Sequence, residues 1–182
     1  PYGVSGVRPF SHATNWVVAE LLGGSQWAAE TVAIWLPIGM SVALGVLIYK
    51  LAVLLSRDVR VGLASVLVFA VTPVHATYSG LGFLDHNVHQ YFWLGVTLLT
   101  LGWLAVDLQQ RIGRHDDRRE VVLSQLRATP TWAVAVVFGL SVAAGTHAWG
   151  GSPLLLLPLA GYLGLRVALD VRADLPPVLT IL

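Results

Sequence analysis

Cysteine is absent from all 182 residues, which rules out a disulfide framework, a thiolate metal site and a cysteine nucleophile. Charge is scarce as well: Asp, Glu, Lys and Arg make up 12% of the chain, against roughly 25% in an average soluble domain. A formal net charge of +1 gives no electrostatic footprint for nucleic acid. There is no internal repeat, low-complexity tract or soluble-domain stretch. What fills the chain instead is apolar: 55% hydrophobic residues and a mean hydropathy of +0.70 point to a membrane protein. The chain opens at Pro1 without Met or a signal-like segment and closes in an apolar run, so the expectation is a piece of a larger protein.

About 20 apolar residues cross a hydrocarbon core of about 30 Å. Five stretches qualify, at about 31–55, 61–77, 88–106, 131–148 and 153–169, the second being short and interrupted by Pro73. They show no strand-like alternation and their linkers are short, so the fold class expected is an all-α membrane protein, a multi-span helical bundle. Residues 1–30 read as an external loop carrying an interfacial amphipathic helix. That helix is expected over 14–22, with Thr14 or Asn15 as its cap and Gly23-Gly24 as its stop. Residues 31–182 read as the bundle, with no soluble domain.

Basic residues orient the bundle. If the connection 107–130 is cytoplasmic, ten of the eleven Lys and Arg residues fall on that side, with Arg8 alone outside. The same orientation gathers His12, His75, His86, His89 and His147 at the outer face and leaves His115 inside. The expected location is the plasma membrane, multi-pass, with the polar chemistry on the external face. The run 111–120 mixes both signs and reads as a solvated loop held near anionic lipid.

Polar groups between spans are costly, which makes the segment 82–90 the first candidate for a site. Asp85 and His89 are four apart, so a helix starting near Asp85 puts them on one face, a carboxylate and an imidazole suited to a divalent metal. If residues 84–87 are loop instead, Asp85 and Asn87 offer hard oxygen ligands to one ion, as Mg²⁺ or Mn²⁺ prefers. Asp85 equally suits the N-cap of the following helix. The second turn, Thr146-His147-Ala148-Trp149-Gly150-Gly151-Ser152, combines an imidazole with an aromatic ring and two glycines. Its His147 either holds a diphosphate or hydrogen-bonds its own loop, and Trp149 and Tyr78 suit a membrane interface.

The run Ser79-Gly80-Leu81-Gly82-Phe83-Leu84-Asp85-His86-Asn87, followed by a spanning helix, resembles the second acidic motif of the catalytic subunit of oligosaccharyltransferase, in its archaeal and bacterial single-subunit form. The order of an external helix, two spans, the motif, two spans around a cytoplasmic loop and an external Trp149-Gly150-Gly151 turn is similar too. The resemblance implies a partial C-type glycosyltransferase bundle. Its activity would be N-glycosylation of proteins, moving an oligosaccharide from a polyprenyl (di)phosphate carrier to Asn of an Asn-x-Ser/Thr acceptor. It implies Asp85 as the catalytic residue and Asp85 with Asn87 as ligands of Mn²⁺ or Mg²⁺, flanked by His86 and His89. His147, Trp149 and Tyr78 would lie against the carrier. Asn87 stands where the family commonly has an acidic residue or His, and an amide is a weaker ligand than a carboxylate. The first acidic motif and the acceptor-reading domain are not in this sequence, so the chain alone is expected to be inactive. Partners implied are a lipid-linked oligosaccharide, an acceptor polypeptide and the bilayer. The alternatives are another C-type transferase or ligase acting on a polyprenyl-phosphate sugar, and a proton- or metal-coupled transporter using Asp85 and the histidines as an ion path.

Overall fold

The computed structural model describes residues 9–73, 86–114, 118–148 and 152–172. These form seven helices, with no strand among the described residues: α1 (Pro9–Leu21), α2 (Gln26–Ser56), α3 (Val59–Ala70), α4 (His86–Ile112), α5 (Arg118–Arg127), α6 (Thr129–Ala148) and α7 (Ser152–Arg172). Three of them, α2, α4 and α6, are long and apolar enough to cross a membrane. Helix α3 is apolar but has only 12 residues. Trp35, Val42 and Val46 on α2, and Val136 and Leu140 on α6, are exposed. Apolar surface of this extent is stable against lipid rather than water.

Local chemistry sets the helix ends. Helix α1 begins at Pro9, whose missing N–H suits a first turn. Thr14 and Asn15 therefore lie inside the helix and do not cap it, contrary to the expectation from sequence; the Thr14 hydroxyl donates to Phe10 O at 2.8 Å. The glycine stop is present: Gly23 and Gly24 have φ of +107° and +64°, and the Gly24 N–H reaches Ala19 O at 3.0 Å. Ser25 then caps α2, its Oγ accepting from Ala28 N at 3.1 Å. At the far end of α2, Arg57 adopts a left-handed φ of 58° and Asp58 caps α3, Oδ1 accepting from Arg60 N at 2.8 Å. Two residues thus turn one helix into the next.

Helix α4 is the hub, and two of its faces are specialised. One carries Gly95 and Gly102, seven residues apart, against Leu44 and Leu47, and against Leu51, of α2. Advancing seven residues on both helices means that α2 and α4 run parallel. The other face carries Thr97 and Thr100 against the small buried residues Ser141, Ala144, Gly145 and Ala148 of α6. Small side chains allow the close approach on which helix association in lipid depends, since burying apolar surface gains little there.

A polar clamp closes the opposite end of the α4–α6 pair. Arg111 Nε donates to Asp107 Oδ2 at 2.8 Å and its Nη1 donates to Ser124 O at 2.8 Å. Thr131 Oγ1 donates to the same Asp107 oxygen at 3.2 Å, and Trp132 Nε1 reaches Leu126 O at 3.0 Å. Leu108 and Val121 are buried beside this network, with Ile112 and Val122 packed on them. The expected solvated loop over 111–120 is therefore corrected: Arg111 lies in the last turn of α4 and ties α4, α5 and α6 together, and α5 begins at Arg118. The charges that suggested a loop are partly consumed in fastening it.

Glycines at helix contacts differ in what a methyl group would meet. A Cβ at Gly62 would lie 2.6 Å from Val53 Cγ2 and 2.9 Å from two ring atoms of Tyr49. Val is held in one rotamer on a helix, so it yields little. A Cβ at Gly95 would meet the end of Leu44 at 2.6 Å, but Leu44 borders an open apolar groove into which it can swing. Alanine also gains up to about 1 kcal/mol of helix propensity over glycine. Gly62→Ala should therefore destabilise the protein by about 1–2 kcal/mol net, and Gly95→Ala should be close to neutral. Thermal unfolding in detergent checks the order; equal effects would show that α2 and α3 pack more loosely than these distances imply.

Candidate functional site

The register of α4 against α6 determines which residues meet at each end of the bundle. Thr97 Oγ1 and Ser141 Oγ lie 2.9 Å apart, and ten residues further on in α4, Asp107 meets Thr131, ten residues back in α6. The two helices are antiparallel with a constant offset, so Gln90 is level with Ala148. The start of α4 and the close of α6 form one end, where His86, His89 and His147 belong by position. Lys50, Arg57, Arg60, Arg111, Arg114 and Arg127 belong to the other. Helix α1 adds to the histidine end: it packs on α2 and α6, and its Phe10 ring meets Trp93 edge-on, with centroids 5.8 Å apart.

Helix α4 starts at His86, inside the acidic motif 79–87 and directly after Asp85. This excludes the reading in which 84–87 are all loop, because Asn87 is already helical. Helical spacing puts Asn87 in line with Tyr91, Leu94 and Leu98, which border the groove toward α2 and α3. His89 falls in line with Trp93 and is buried, 4% exposed. Asn87 and His89 thus lie on different sides of α4. Asp85, Tyr78 and Trp149 fall outside the described residues, as does the side chain of His86. Among the described residues no group of three or more His, Cys, Asp or Glu could hold a metal ion. The described donors do not make an ion site by themselves, and any fit depends on Asp85.

His147 is exposed at the end of α6, and its Nδ1 lies 2.8 Å from Ala143 O. A carbonyl only accepts, so Nδ1 is the donor, and Nε2 is not used in this bond. His147 thus hydrogen-bonds its own chain, through the helix rather than the loop. The bond orients the ring and leaves its second nitrogen for other chemistry.

Two features were not anticipated from sequence. One is an apolar groove of about 290 Å³ between α2, α3 and α4, bordered by Leu47, Leu51, Phe69, Tyr91 and Leu98, with Thr72 and Tyr91 nearest the histidine end. Its signal was available only in pairs, as leucines on α2 facing the Gly95 side of α4. The other is the orientation of α1, which exposes Trp16, Val17 and Leu21 and buries Ser11 and Ala19.

Comparison with family models, with curated proteins and with solved structures finds no match for this chain.

The two ends differ in chemistry, and a bilayer crossed by α2, α4 and α6 would separate them. Cysteines placed singly at exposed positions, His12→Cys at the histidine end and Gln110→Cys at the basic end, should therefore react with an impermeant thiol reagent from opposite sides. The positive-inside bias predicts labelling of the His12 position in intact cells, and of the Gln110 position only after permeabilisation. Labelling of both positions from the same side would refute the antiparallel arrangement across the membrane.

Proposed function

We propose that this chain is the membrane portion of a C-type glycosyltransferase of the oligosaccharyltransferase kind, transferring an oligosaccharide from a polyprenyl (di)phosphate to the side-chain amide of Asn in an Asn-x-Ser/Thr acceptor. The observation that supports this reading most is positional. The acidic motif 79–87 runs directly into α4 at the end of the bundle where α1 and the close of α6 also lie, so the motif and the 149–151 turn issue from neighbouring helix ends. A transferase working at one leaflet needs its polar groups at one end. An ion carrier needs them along the path.

In the transfer, the acceptor nitrogen attacks the anomeric carbon, the bond from that carbon to the carrier's phosphate oxygen breaks, and the nitrogen loses one proton to a base. The resemblance, rather than a shared loop, pairs Asp85 with Asn87 of the first turn of α4; the two would hold Mn²⁺ or Mg²⁺, which when bound supplies Lewis acidity toward the leaving phosphate. His147 offers Nε2 to a protonated phosphate oxygen or, when protonated itself, a charge to an ionised one. Tyr78 and Trp149 would flank the carrier head. The groove between α2, α3 and α4 has walls almost entirely of carbon, which suits an isoprenoid segment entering below Tyr91. The site would face the outside of the plasma membrane, with acceptor polypeptide arriving from water and carrier from lipid. Because the first acidic motif and the acceptor-reading domain are not in residues 1–182, this part would hold carrier without turning it over.

Substitution at the motif, made in the complete reading frame, tests the assignment. Asp85→Asn keeps a capping oxygen and volume, so a purely structural Asp85 would lose about 1 kcal/mol of stability or less. A metal-holding Asp85 should instead lose at least about 100-fold in transfer, equivalent to a few kcal/mol in the transition state, with the fold retained. Near-full activity of Asp85→Asn, with metal dependence abolished by His89→Ala, would reject the pairing of Asp85 with Asn87.

A further inference from the structure

A second apolar groove lies between α2 and α3, distinct from the one that Leu47 and Tyr91 border. Its volume is about 710 Å³, with Val42, Val46 and Tyr49 of α2 on one wall and Leu63, Leu67 and Ala70 of α3 on the other. Phe69 borders both grooves and stands between them, its ring 3.8 Å from where a Cβ on Gly45 would lie. Toward the 57–58 turn the second groove is closed, because Gly62 packs against Tyr49 and Val53. In the other direction it runs along α2 from Tyr49 to Ser41, about 12 Å at 1.5 Å per residue. Val42, Val46, Leu63 and Leu67 are all exposed along it.

The closed end of this groove is flanked by positive charge. Steps of three and four residues put Lys50 in line with Val42 and Val46, and Arg60 in line with Leu63 and Leu67, while Arg57 occupies the turn itself. The three are exposed, and none forms an ion pair among the described residues. Arg111 and Arg166, by contrast, are paired with Asp107 and Asp170. The carboxylate nearest in sequence, Asp58, gives Oδ1 to the backbone N–H of Arg60. The turn follows the last residue of α2, so in a membrane crossed by α2 it belongs to the headgroup region. Long basic side chains reach that plane with their stems laid along apolar surface. A neutral tail would match the walls and leave the cations unused, and a soluble phosphate would match the cations and leave the walls bare. A second copy docked face to face would bring like charges together. A lipid with an anionic head matches both parts.

We propose that the α2–α3 groove is a binding site for an anionic phospholipid, one acyl chain lying along Val42, Val46, Leu63 and Leu67 and the phosphate-bearing head held by Lys50 and Arg60. The site shares no residue with the transferase reading and stands or falls separately from it. Native mass spectrometry of the full protein in neutral detergent, with phosphatidylglycerol or phosphatidylcholine of identical chains, should show phosphatidylglycerol retained in preference by about tenfold, the scale of two basic side chains beside a headgroup. Lys50→Gln with Arg60→Gln should bring the two lipids level without lowering the melting temperature of the lipid-free protein. Arg114→Gln with Arg127→Gln, at the same end of the bundle but outside the groove, should keep the preference. Leu67→Trp fills the groove without altering charge and should weaken both lipids; if it does not fold, Val46→Phe on the opposite wall carries the comparison. Glycerol phosphate, the head without its chains, should not displace the lipid. Equal retention of the two lipids by the unaltered protein, an equal loss of preference in the Arg114 and Arg127 variant, undiminished retention in a folded groove-filled variant, or displacement by glycerol phosphate would each overturn the proposal. A dimer that excludes lipid from the groove would also overturn it, by giving this face to a second copy.

Discussion

The contact between α4 and α6 is the constraint on which the arrangement rests. In lipid, apolar side chains gain little by leaving one hydrocarbon surface for another, so packing and polar ties must hold helices together. Here a hydroxyl pair sits partway along the seam and a carboxylate–guanidinium clamp sits at one end. The hydroxyl pair is frugal: Thr97 also approaches Trp93 O at 2.8 Å and Ser141 approaches Phe138 O at 2.7 Å, so two protons serve three contacts. One proton is shared or one contact is left to dispersion. With two fixed points ten residues apart, sliding by a single residue would break both, and this locks the histidine end into its composition.

Charge has different roles at the two ends. Arg111 is committed to Asp107 and Ser124, and on α7 Arg166 pairs with Asp170 at 3.2 Å. These pairs are one helical turn apart on their own helices, which orients the guanidinium before it reaches another element. At the histidine end, His147 is likewise held by the backbone of its own helix. In each case a contact four residues away on the same helix sets the direction of the side chain.

Much of the bundle is readable from the chain, because the length of an apolar run is a one-dimensional property. The runs starting near Thr31, Val88 and Thr131 lie in α2, α4 and α6, and the Gly23-Gly24 stop follows from glycine alone. The start of α1 was not readable, since Pro9 sits among polar residues that carry no period. Its orientation was not readable either. Apolar spacing marks a face but cannot say whether lipid or protein covers it, and in a membrane the polar stripe of Ser11 and Asn15 can be the one turned inward. The pairing of Arg111 with Asp107 was legible as a four-residue spacing, yet the mixed signs that follow it suggested solvent. For the candidate site, His147 and His89 could be placed at one end by counting spans. That Asn87 and His89 face different sides of α4 required knowing that the helix begins at His86.

Helices α2 and α3 are unequal in length. At a rise of 1.5 Å per residue, the 31 residues of α2 extend for about 46 Å and the 12 residues of α3 for about 18 Å. Two neighbours joined by a two-residue turn thus differ by more than half the thickness of a hydrocarbon core of about 30 Å. Within a bilayer, α3 by itself covers only part of the hydrocarbon depth that α2 crosses. The end of α3 lies on the side where α4 begins, next to the groove bordered by Thr72 and Tyr91. One apolar groove is thus walled by helices of unequal depth: α2 and α4 continue past its Thr72 end, and α3 stops level with it.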